Sequence, residues 1–144
     1  MHYAPFHEYC PKDAESETRS IAVVNDPDLP AGDYALLESY CQDPDCDCRR
    51  VFLCVRSRRR VEAVIAFGWE SRNFYARWMG SRDPRDIDEL KGPCLNLMSP
   101  QSDLAPALLR AVQDVLEDAG YVASLKRHYA MFKQALRAPA AKRR

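Results

Sequence analysis

Tyr40-Cys41-Gln42-Asp43-Pro44-Asp45-Cys46-Asp47-Cys48-Arg49-Arg50 sets three cysteines within eight residues, with an apolar segment on either side. In the run before it, Tyr34, Leu36, Glu38 and Tyr40 share one face of an extended chain and Ala35, Leu37, Ser39 and Cys41 the other. In the run after it, Val51, Leu53 and Val55 alternate with Phe52 and Cys54. Two such strands joined by a short polar connection form an antiparallel hairpin, so the cysteines belong to its turn. Asp43-Pro44 favours that turn. Cys46 and Cys48 lie two apart and project to the same side of an extended segment. The hairpin folds Cys41 back toward them. The spacing Cys-x4-Cys-x-Cys thus converges three sulfurs on one point, and thiolates are donors that zinc takes in structural sites. Three thiolates and a divalent cation leave one negative charge, which Arg49 and Arg50 are placed to offset.

A closed zinc site needs a fourth donor. His128 is the first choice, because its steps from Tyr121 and Leu125 put it on the inward face of the last helix. The competing reading of His128 is a core histidine bonded to a backbone carbonyl. Cys54, Cys94, Cys10, His7 and a nearby aspartate are further candidates, and a water in that place would make the site open.

Working outward, Val61, Ala63, Ile65, Phe67 and Trp69 alternate strictly and predict a strand paired with 51–55 across the charged turn Ser57-Arg58-Arg59-Arg60. Ser20 to Val24 reads as a first strand, ended by Asn25-Asp26-Pro27. The period then changes. Phe74, Tyr75 and Trp78 suit a short helix, Asp83-Pro84 breaks it, and Asp86 to Lys91 adds one further turn before Gly92-Pro93. Cys94 to Met98 is an apolar connector of no fixed state. Leu104, Leu108, Val112, Val115 and Leu116 stripe one helix, capped by Ser99 or Ser102 and ending near Gly120. Tyr121, Leu125, His128, Tyr129, Phe132 and Leu136 stripe a second, with Lys126, Arg127 and Lys133 elsewhere. The expected fold is α+β: an antiparallel sheet of three to four strands over about 20–69, covered by helices at about 71–80, 102–118 and 121–137. Residues 1–19 read as an irregular N-terminal segment, 20–137 as one zinc-binding domain, and 138–144 as a basic flexible tail.

The chain of 144 residues has the length of one ordinary domain, and its 21 basic and 21 acidic residues cancel. No generally basic nucleic-acid-binding surface follows from that balance. No apolar run approaches the roughly 20 residues that span a bilayer, so no membrane association is expected. Six cysteines without a secretion signal point to a reducing cytoplasm, where thiols stay free or bind metal. Arg49, Arg50, Arg58, Arg59 and Arg60, with Phe52 between them, are the candidate nucleic-acid or anion contacts; Asp43, Asp45 and Asp47 balance them, and a solvated turn is the favoured reading. Motifs for zinc hydrolysis are absent from the sequence. A metal-dependent enzyme would need an open position and a base such as Glu38. The expectation is a zinc domain that binds another macromolecule, a protein in preference to a nucleic acid, with the oligomeric state open. Redox sensing by the same thiols is a further possibility.

The stretch from Tyr40-Cys41 through Cys48-Arg49-Arg50-Val51 resembles a bacterial family of uncharacterised proteins that carry a Tyr-Cys-x-Asp-Pro-x-Cys-Asp-Cys-Arg-Arg core. The likeness extends to Gln101 to Ala105 and to Arg127-His128-Tyr129 with Phe132. Such proteins are loosely similar to SEC-C-type zinc-chelating proteins, whose Cys-x-Cys start Cys46-Asp47-Cys48 matches. The glycine-lysine stretch and following cysteine pair of that type are missing here. The resemblance implies zinc at Cys41, Cys46 and Cys48 and a role for His128. It implies no activity.

Overall fold

The computed structural model describes residues 2–138. Its chain order is β1 (Tyr3–Pro5), α1 (Phe6–Tyr9), α2 (Pro11–Glu17), β2 (Arg19–Val23), β3 (Gly32–Cys41), β4 (Arg50–Arg56), β5 (Val61–Gly68), α3 (Arg72–Met79), α4 (Pro84–Lys91), β6 (Cys94–Leu95), α5 (Ala105–Val115) and α6 (Ala119–Arg137). The class is α+β, as the alternation and stripes predict, but the antiparallel sheet has six strands rather than three or four.

The spine of the sheet is β3-β4-β5, paired as Leu36↔Val55, Glu38↔Leu53 and Leu53↔Ile65. Sequence periodicity decides this part, because alternating β-branched and aromatic residues bury one whole face. Tyr34, Leu36, Tyr40, Val51, Leu53, Val55, Ala63 and Ile65 are all buried there, with Leu108 and Val112 of α5 and Leu125 and Phe132 of α6 in the same core. The opposite face is covered in part by α3 and α4: Tyr75 packs on Gly68, and Arg50 donates to main-chain oxygens of α4.

The added strands are those that local pattern does not announce. β6 is two residues long and pairs only as Ile65↔Leu95 and Ala66↔Cys94. β1 and β2 lie end to end along one edge of β3: Tyr3↔Cys41 at one end and Arg19↔Leu36 to Val23↔Gly32 at the other. Residues 3–17, expected to be irregular, therefore form a strand and two short helices, and Phe6 and Ala14 join the core. Phe6 stacks on His128 with ring centroids 4.4 Å apart, and Tyr9 meets Phe132 edge-on. These helices are too short to be stable alone and exist by virtue of that packing.

Helix ends also differ from expectation. α4 is a full helix capped by Asp83, whose Oδ1 accepts from the Arg85 amide. α5 stops at Val115, and Gly120 lies inside the first turn of α6. Asp118 caps α6 by accepting from the amides of Gly120 and Tyr121; a short aspartate at the cap outweighs the breaking tendency of one glycine. The tail expected to be flexible lies, beyond Ala138, outside the described residues. Among the described residues no helix is long and apolar enough to cross a membrane.

Candidate metal centre

Cys41 ends β3, and residues 42–49 make the connection to β4. Asp43 Oδ1 accepts from the Asp45 amide, and the Cys46 amide bonds to the Asp43 carbonyl, so the turn at Asp43-Pro44 is closed by its own aspartate. Arg49 then takes a left-handed backbone, φ 51°, which reverses the chain into β4. That conformation is costly for a residue with a Cβ and persists where its surroundings fix it. Arg49 is held on every side. Its carbonyl accepts from Tyr75 Oη at 2.7 Å, its guanidinium pairs with Asp47 and Glu70, and it lies over the Phe74 ring.

The loop brings the sulfurs of Cys41, Cys46 and Cys48 within 4.8 Å of one another. Cys41 and Cys48 are fully buried and Cys46 is partly exposed. Sulfurs about 2.3 Å from one tetrahedral ion stand about 3.8 Å apart, so this group needs shifts of at most about 1 Å to close on a metal. The cluster could therefore hold a metal ion. Burial, then the neighbouring thiols of Cys48 and Cys41, push Cys46 up to about 12. A cation at the centre reverses that repulsion and releases the protons.

Further supports come from β1 and α6. Tyr3 on β1 sets its hydroxyl 3.9 Å from Cys48 Sγ and stacks on Phe52. On α6, Tyr129, Lys133 and Arg137 stand one turn apart and each donates to the loop backbone. Tyr129 Oη reaches the Cys46 carbonyl at 3.2 Å, and Arg137 reaches that of Pro44 at 2.6 Å. Lys133 Nζ reaches the carbonyls of Cys41 at 2.9 Å and Asp43 at 2.6 Å. The last helix meets the cysteine hairpin through these three donors to its backbone, and not through His128, the residue expected to reach the ion. The spacing i, i+4, i+8 of Tyr129, Lys133 and Arg137 is the one signal of this row in the sequence, whereas its target, bare carbonyls of a turn, leaves no mark there.

His128 is not brought to the thiols. It is fully buried, its Nδ1 lies 2.7 Å from Glu38 Oε1, and its Nε2 lies 3.4 Å from Glu17 Oε1. Glu38 also accepts from Tyr40 Oη at 2.6 Å. Burial works against the imidazolium, but the hydrogen bond and charge of Glu38, followed by the nearby carboxylate of Glu17, outweigh it and raise the pKa of His128 above the ordinary histidine value. The competing reading, a core histidine, was nearer, with a carboxylate in place of the carbonyl. The signal was present: a glutamate on the apolar face of a strand needs a buried partner, and an inward histidine supplies one. Of the other donors weighed, Cys10, Cys54, Cys94 and His7 also lie outside the cysteine group.

The arginines do not form one surface. Arg49 precedes β4 and Arg50 begins it, while Arg58, Arg59 and Arg60 follow it, with roughly 20 Å of strand between Arg50 and Arg56. Arg50 is buried against α4, and Arg60 pairs with Glu62. Arg58, Arg59 and Arg60 line an open groove together with Asp33, Glu62 and Asp103, so its charge is mixed. Phe52, the ring available for base stacking in the sequence reading, is covered by Tyr3 and lies beneath Arg50.

No protein-family model, curated protein or solved structure matches the chain.

Proposed function

We propose that this chain is a zinc-stiffened α+β domain that recognises another protein, with the ion serving structure. The observation that carries the reading is the convergence of Cys41, Cys46 and Cys48 within 4.8 Å in a loop whose carbonyls are already satisfied by α6. Thiolate donors favour zinc among abundant divalent ions, and the resemblance to SEC-C-type zinc-chelating proteins points the same way. His128 is left out of the ligand set, because both ring nitrogens face carboxylates. A protein partner is favoured over a nucleic acid by the separation of the arginines and by the exposure of Leu97 and Met98, 82% and 95%, near the sheet edge.

Elemental analysis of the purified chain tests the metal. The expected result is about one zinc per chain for the unaltered protein and for His128→Gln, and loss of stoichiometric zinc in Cys46→Ser and Cys48→Ser. Full zinc in both serine variants, or none in the unaltered chain, overturns the ligand set. A gel shift that grows at low salt would displace the protein-partner reading.

A further inference from the structure

The cysteine loop is bracketed by two buried cations that have no carboxylate of their own. Arg50 is 8% exposed, and its guanidinium donates to the carbonyls of Leu90 and Glu89 and, at 3.2 Å, to Tyr3 Oη, which faces Cys48 Sγ. Lys133 is 5% exposed and donates to the carbonyls of Cys41 and Asp43. Among the described residues neither forms an ion pair. The carboxylate of Asp47, which feels the charge of Lys133, is exposed and engaged by Arg49. Buried charge without a counter-charge is expensive.

The metal group itself falls short by one donor and one charge. Three thiolates on a divalent ion leave one negative charge against the two positive charges of Arg50 and Lys133. The described residues include every cysteine, histidine, aspartate and glutamate of the chain, and no fourth of these joins the three sulfurs. Cys41 and Cys48 are sealed from solvent, whereas Cys46 is partly exposed, so the ion is approached from the side of Cys46. One further anionic donor completes a tetrahedron and balances both cations. Beside three thiolates the soft match is a fourth.

Resting on the zinc reading above, we infer that the fourth donor is a thiolate from outside the chain, admitted on the Cys46 side and held by the charges of Arg50 and Lys133. The incoming thiol gives its proton to solvent as its sulfur joins the ion. The bond from the ion to its previous fourth ligand, a water, breaks as the sulfur bond forms, and that water returns to solvent; no electron is transferred.

X-ray absorption at the zinc edge, on monomeric protein prepared without thiols, tests this with N-acetylcysteine amide as the probe. The expected shell is three sulfurs and one lighter atom before addition, and four sulfurs at about 2.3 Å after it. In the cobalt-substituted chain the sulfur-to-metal absorption band should change saturably with the probe. Lys133→Met should weaken that response about tenfold, and Lys133→Arg should restore most of it. If Lys133→Met does not fold, the sulfur count stands as the deciding result. A shell that stays at three sulfurs and one lighter atom overturns the inference and leaves the zinc reading intact, as does a shell of four sulfurs before any thiol is added. A chain that binds neither metal overturns both.

Discussion

His128 joins three elements through one ring. Glu38 on β3 takes its Nδ1, Glu17 on α2 faces its Nε2, and Phe6 of α1 stacks on its face. Arg127 engages Glu17 from the neighbouring position, and Tyr40 donates to the same Glu38 oxygen. The folded-state pKa of His128 is raised above the ordinary 6.5. The proton is thus bound more tightly in the folded chain, and its stabilisation is complete below the unfolded value and lost as pH rises through the folded one. Thermal unfolding of the unaltered chain and of His128→Gln, compared across pH, should show a gap that is widest on the acid side and narrows as pH climbs past the folded pKa. A gap that widens toward alkaline pH would refute the imidazolium. His128→Ala should cost about 3–5 kcal/mol by denaturant titration, because the charge of Glu38 is left buried without a cation and with only the Tyr40 hydroxyl bonded to it.

At the scale of elements, α6 grips the cysteine loop through a graded row. Lys133 is buried and makes two bonds to carbonyls, Tyr129 is nearly buried and makes one, and Arg137 is exposed. Removing a donor from a buried carbonyl costs about 1–3 kcal/mol, and removing an exposed one costs far less. Denaturant titrations of Lys133→Met, Tyr129→Phe and Arg137→Ala should therefore rank in that order, with Arg137→Ala close to the unaltered chain. Equal losses in all three would mean that the row is not the clasp. The hairpin β3-β4 and the stripe of α6 were legible, because burial repeats with a period of 2 in the strands and near 3.6 in the helix. α1, α2 and β6 were not, since four, seven and two residues hold only about one or two periods, too few for a pattern to repeat. They are specified by Phe6, Ala14 and the free edges of β3 and β5, which only the assembled sheet provides. Convergence of the thiols was likewise legible from spacing, whereas the destinations of His128 and Lys133 depend on which side of the sheet each meets.

Across the molecule, the thiol group ties the end of β3 and the start of β4 to β1 through Tyr3, to α3 through Tyr75 and to α6 through Tyr129. The central pairing of β4 with β5 is independent of it and buries its own apolar face. Chelation of the metal should accordingly act in part of the structure before the whole. Hydrogen exchange should rise first at residues 2–17, 41–50 and the last turns of α6, while amides of β4 and β5 beyond Val51 and Phe67 stay protected until global unfolding. Uniform loss of protection would place the ion at the centre of a single cooperative unit instead.

One pairing has a practical consequence at the bench. The carbonyl of His2 accepts from the Gln42 amide at 2.8 Å, so the chain enters the fold alongside the cysteine loop. A polyhistidine purification tag fused ahead of residue 2 would deliver a string of imidazoles to the doorstep of three thiols and contend for the same ion. Stoichiometry measured on such material would count the handle with the protein, so the handle should be cleaved before any metal is weighed.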